Sequence, residues 1–113
     1  MSSAADLPAL LQRAAQALPG RVTFVKPRYA GVQLAGEERG VYYDQPASHL
    51  WLEAACREEC EARNLAWTVG RWMVMGPPYA ATVTGALDHY EQYGASPAEA
   101  LLLALLEAIE AGE

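Results

Sequence analysis

Apolar residues recur along this chain with two periods, and the points where the period changes predict its elements. Leu7, Leu10, Leu11, Ala14 and Leu18 follow at helical spacing, with Gln12, Arg13 and Gln16 opposite. Asp6 suits the N-cap, and Pro19-Gly20 ends the helix. Residues 21–26 read as a strand, Val22 and Phe24 on one face and Thr23 and Val25 on the other, until Pro27 interrupts it. Residues 28–34 resume with Ala30, Val32 and Leu34 alternating. A charged turn over residues 36–40 and a short edge strand over 41–44 complete this part.

A second helix is predicted from Pro46 or Ser48 to about Arg63, with Asn64 suited to the left-handed position past its end. Its apolar face gathers Trp51, Leu52, Ala55 and Ala62, while Arg57, Glu58 and Glu61 lie away from it. Trp67 and Val69 then alternate around Thr68, and Trp72 and Val74 around Met73, with Gly70-Arg71 as a tight turn or bulge between them. Gly76-Pro77-Pro78 marks a turn that folds residues 79–84 back onto 71–75. Residues 85–94 show no usable period. The last helix has the strongest signals: Ser96 as cap, Pro97 at the first helical position and Glu99 completing a capping box. Its acids Glu99, Glu107 and Glu110 occupy a narrow arc, and Leu101, Leu102, Leu105, Leu106 and Ile109 cover most of the rest. So wide an apolar sector needs more than one partner, which makes this either the central helix or part of a subunit interface. The predicted fold is α+β: a small antiparallel or mixed sheet packed with three helices, in the order α-β-β-(β)-α-β-β-α, sandwich-like, within one domain spanning residues 1–113.

Composition changes the picture in three ways. Half-apolar content, 52% of residues, is enough for a core without staples. No apolar run approaches the roughly 18 residues of a membrane span, and no signal peptide is recognisable, so a cytoplasmic protein is expected. The formal charge of −6 makes bulk nucleic-acid binding a poor expectation. The charge is uneven, however: before Ser48, Arg13, Arg21, Lys26, Arg28 and Arg39 outnumber Asp6, Glu37, Glu38 and Asp44. A small anionic ligand therefore fits best near the early strands.

Candidate chemistry is sparse. His49, Glu53, Cys56 and Cys60 form one stripe along the second helix, but four donors spread over more than two turns cannot converge on one metal. The expected arrangement has Cys56 in the core, Cys60 at its margin, and His49 and Glu53 facing water. Asp88-His89 could pair an orienting carboxylate with a base, yet no nucleophile elbow accompanies it and Ser96 serves as a cap. The glycines form neither a Walker loop nor a dinucleotide fingerprint. The aromatic residues carry more interest, because rings beside Arg hold planar and anionic groups by stacking and charge. The ligand-binding candidates are Arg28, Tyr29, Tyr43, Arg71, Tyr79, His89 and Tyr90, with no catalytic residue, metal or cofactor expected.

Trp72-Met73-Val74, then residues 81–84 (Ala-Thr-Val-Thr), then Gly94-Ala95-Ser96-Pro97-Ala98-Glu99-Ala100-Leu101, resemble the end of the small phage and prophage accessory domains of the ABA-sandwich type. Tyr43-Asp44-Gln45-Pro46-Ala47-Ser48 leading into a Trp-bearing helix is similar to the same group, so the resemblance covers roughly residues 41–109. It implies helices packed around a mixed or antiparallel sheet in a bacterial host cell. Some proteins resembling this group sequester cyclic nucleotide messengers in oligomeric pockets, without catalysis. The function expected is a non-enzymatic phage- or prophage-type accessory binding or interaction domain, with a second copy of this chain (a homo-oligomer) or a small anionic or nucleotide ligand as its candidate partners. The alternatives are a sponge for a small nucleotide messenger, and a small enzyme or metal-binding protein using Cys56 and Cys60 or His89.

Overall fold

The computed structural model describes residues 6–71 and 76–113. Its order is α1 (Asp6–Ala17), β1 (Val22–Val25), β2 (Tyr29–Leu34), β3 (Glu37–Tyr42), a 3₁₀ turn (Pro46–Ser48), α2 (His49–Ala62), β4 (Ala66–Arg71), β5 (Tyr79–Thr84), β6 (His89–Gly94) and α3 (Pro97–Glu110). The strands form two antiparallel sheets, β1-β2-β3 and β4-β5-β6, so the fold is α+β with two meanders where one sheet was expected. α1 and α2 pack on the first sheet, and α3 covers the second while also meeting both other helices. That position explains the wide apolar sector of α3. Leu101, Leu102, Leu105 and Leu106 are all buried, each contributing about 2 kcal/mol by burial.

The ends of the helices follow from their residues. Ser96 Oγ accepts the Glu99 amide at 3.2 Å, and Pro97 opens α3 where its missing N–H costs nothing. Past α2, Asn64 adopts φ 60°, so that Leu65 N–H reaches the Cys60 carbonyl at 2.8 Å. Gly112 does the same past α3 with φ 98°, sending Glu113 N–H to the Ala108 carbonyl at 3.0 Å. The Glu113 side chain then reaches the turn between β5 and β6.

Several strand predictions need correction. The turn between β2 and β3 is the two-residue Ala35-Gly36, with φ 54° and 81°, so Glu37 to Gly40 belong to a paired strand. A bulge between Val22 and Phe24 breaks the expected alternation: Val22 pairs with Val32 and is buried, whereas Phe24 pairs with Gly31 and lies on the outer face. A Cβ on Gly31 would meet the Phe24 ring at 2.3 Å, so the glycine leaves the space the ring occupies. Tyr29 contacts Phe24 edge-on and stacks on Tyr42, giving a row of three rings across that face.

In the second sheet β4 runs unbroken through Gly70 and Arg71, and β5 pairs back onto it from Arg71↔Tyr79 to Ala66↔Thr84. The predicted strand over residues 72–75, Trp72 included, lies outside the described residues. β6 was not foreseen. Its inward positions are Tyr90, Gln92 and Gly94, and this polar set hides a period of two; Gln92 is satisfied by Glu107 at 2.7 Å.

Candidate binding groove

The buried face of α2 comprises Leu52, Glu53, Ala55, Cys56 and Cys60, whereas Trp51 and Ala62 are exposed. The inward face is therefore rotated from the one the apolar pattern suggested. Trp51 is 41% exposed because its ring packs outside the core against the Arg39 guanidinium, 4.9 Å from the ring centre. Cys60 is fully buried, not marginal, and Cys56 lies beside it in the core. Burial pushes the Cys56 thiol far up and the Cys60 thiol to about 11, so both remain protonated at neutral pH. Among the described residues no three His, Cys, Asp or Glu side chains gather as a metal ligand set.

Glu53 does not face water as expected, and His49 does so only in part. Glu53 is buried and forms an ion pair with Arg57, whose guanidinium also lies 4.9 Å over the Trp67 ring. His49 is half-buried, with Nε2 2.9 Å from the Tyr42 carbonyl. Both line a groove between the starts of α2 and α3. One stretch, about 260 Å³, is bounded by Leu7, Tyr43, Pro46, His49, Ser96 and Glu99. The next, about 240 Å³, shares Pro46, His49, Ala95 and Ser96 and continues to Leu50, Glu53 and Tyr79. A third cleft of about 360 Å³ is also lined by Tyr43, together with Pro27, Arg28 and Asp44. The walls are apolar and aromatic, and two buried carboxylates, Glu53 and Glu99, stand among them.

The local sequence builds this groove. Gly94 lets the end of β6 approach α3 so closely that a Cβ there would lie 2.7 Å from the Ala100 nitrogen, and Ala95 and Ser96 follow directly as one wall. Opposite, Ser48 Oγ accepts the Tyr42 amide at 2.8 Å and donates to the Gln45 carbonyl at 2.8 Å, fixing the entry to α2. Tyr43 is held by its hydroxyl, which donates to the Lys26 and Tyr29 carbonyls at 2.6 and 3.0 Å. Burial raises the pKa of that phenol, keeping it a donor.

The predicted ligand residues are thus divided. Tyr43 and Tyr79 flank the groove, and Arg28 borders the adjoining cleft. Arg71 sits opposite Tyr79 across the ladder, exposed at the same end of the sheet. Tyr29 lies on the outer face of the first sheet, stacked on Tyr42. His89 is exposed at the far end of β6 beside Asp88, and Tyr90 is buried, with its hydroxyl bonded to Glu113. Pattern reading assigned His49 and Glu53 to solvent because a helical wheel gives no account of what faces the start of a helix.

Comparison with protein-family models, with curated proteins and with solved structures finds no match. Among the described residues no helix is long and apolar enough to cross a membrane.

Proposed function

We propose that the chain is a non-enzymatic binding domain whose ligand enters the groove between the starts of α2 and α3. The observation that carries this reading is the junction of the clefts: His49 and Ser96 are shared by the two stretches of the groove, and Tyr43 lines both the first stretch and the cleft at Arg28. The two stretches between the helix starts are each near the size of a small-ligand site, with mainly apolar walls and a few polar groups to orient the occupant, and the Arg28 cleft is more polar. The chemistry favours a planar molecule carrying both donors and an anion. Its ring would lie along Tyr79 and His49, its N–H groups would meet Glu53 or Glu99, and its anionic group would reach toward Arg28. A small nucleotide has this combination, in keeping with a phage-type accessory protein that sequesters a nucleotide messenger.

Thermal unfolding against a panel of mono-, di- and cyclic nucleotides tests the reading. At least one should raise the melting temperature, and His49→Ala and Arg28→Ala should each reduce that shift. A panel without effect, or a shift indifferent to both substitutions, would sink it.

An interaction role has its own support, in Tyr42, Leu50 and Trp51, which are 40%, 64% and 41% exposed around the start of α2. On this second reading light scattering shows a dimer or larger assembly that Leu50→Glu disrupts. A strictly monomeric protein at high concentration rules out the homo-oligomeric form.

A further inference from the structure

The turn joining β5 to β6 holds a carboxylate in a ring of donors. Glu113, just past the end of α3, accepts from the consecutive amides of Ala86, Leu87 and Asp88 at 3.0, 2.9 and 3.1 Å, and from the Tyr90 hydroxyl at 3.0 Å. Successive amides that converge on one point form an anion-binding concavity. The space for the anion comes from Gly85, since a Cβ there would lie 2.2 Å from Glu113 Oε1 and 2.3 Å from its carboxyl carbon. The φ of Gly85 is not in the left-handed region, so backbone strain does not account for glycine at this position. The Gly85 amide bonds the Asp88 carbonyl at 2.9 Å, which closes the turn and aims its amides.

We propose that residues 85–88 and Tyr90 form an oxyanion-binding site, filled by the Glu113 carboxylate, which takes an external carboxylate or phosphate when that side chain withdraws. Among the described residues the donors are three amides and one hydroxyl, all neutral, which specify a single oxyanion group through hydrogen-bond geometry. The site lies at the far end of the second sheet from the groove, because Thr84↔His89 and Tyr79↔Gly94 are opposite ends of one ladder. Burial alone would raise the pKa of the Glu113 carboxyl, but the bonds from Leu87, Tyr90, Asp88 and Ala86 together outweigh it and hold the pKa below the usual value. The cradle therefore favours the charged form. As a tethered group, Glu113 competes at an effective concentration on the order of millimolar.

Amide resonances of Ala86, Leu87 and Asp88, followed during titration with sodium acetate and separately with inorganic phosphate, test the proposal. Glu113→Ala should respond saturably, with a midpoint below that of the wild-type chain, because the tethered competitor is gone. Response to acetate alone identifies a site for acidic side chains or chain ends; an equal or stronger response to phosphate identifies a general oxyanion site. Adding Gly85→Ala to Glu113→Ala should abolish either response. If Glu113→Ala is too unstable to titrate, Glu113→Gln should still respond at lower ligand concentration than wild type. No saturable shift in a folded variant, an unchanged midpoint relative to wild type, or persistence in the Gly85→Ala background would overturn the site.

Discussion

Gly94 and Ala100 are in backbone contact: a Cβ on Gly94 would stand 2.7 Å from the Ala100 nitrogen and 3.1 Å from its Cα. These are main-chain atoms of a helix that itself fills the core, so neither side can give way cheaply. Gly94→Ala should destabilise the fold by about 1–3 kcal/mol, as overpacking does. Urea unfolding at constant m-value would show it; a stability within error of wild type would refute the close approach. Since Ala95 and Ser96 follow directly, the same substitution should also disturb the groove.

Ala35 is an L-residue in the left-handed region, at a hairpin position that favours Asn, Asp or Gly. Ala35→Asn should therefore stabilise the chain by about 0.5–1 kcal/mol, read as a higher urea midpoint. Loss of stability would mean that the turn is not of this type.

Glu58 ties α2 to the turns before β1 and after β2, accepting from Arg21 at 2.6 Å and from the Ala35 amide at 3.0 and 3.1 Å. The Arg21 bond first, and the Ala35 bond second, hold its carboxyl below the usual 4.5. The folded state thus favours the ionised form. This contribution is complete above the unfolded value and fades as pH falls through the lower folded value. Carboxyl NMR titration should place Glu58 below an ordinary Glu, and Arg21→Gln should raise it. An identical titration in both proteins would contradict the bridge.

Cys56 and Cys60 are buried with thiols held protonated, so a thiol-reactive dye at pH 7 should label neither in the folded chain and both in denaturant. Rapid native labelling of either would reopen a chemical role for the pair.

Much of the fold was legible because its signals are local. Ser96, Pro97 and Asn64 act where their conformational preferences place them, and the breadth of α3's apolar face correctly demanded several partners. What escaped depends on contacts distant in sequence. β6 turns Gln92 inward because Glu107 of α3 waits there, and Trp51 turns outward because Arg39 of β3 packs on it. The groove was half legible: Tyr43 and Tyr79 were singled out as aromatic candidates, but His49, Glu53 and Ser96 were assigned structural or solvent roles. Only the meeting of two helix starts brings these residues together, and no spacing within either helix encodes it.

In the proposed function one groove, walled by Tyr43, His49, Ser96 and Tyr79, receives the ligand. Amide chemical-shift mapping of the full chain against the nucleotide panel tests it most directly. Saturable shifts are expected to gather at residues 43–50, 79 and 95–98 and to disappear when Ala95→Trp fills the groove. Shifts centred elsewhere, unaffected by that substitution, or the absence of any saturable shift, would contradict it.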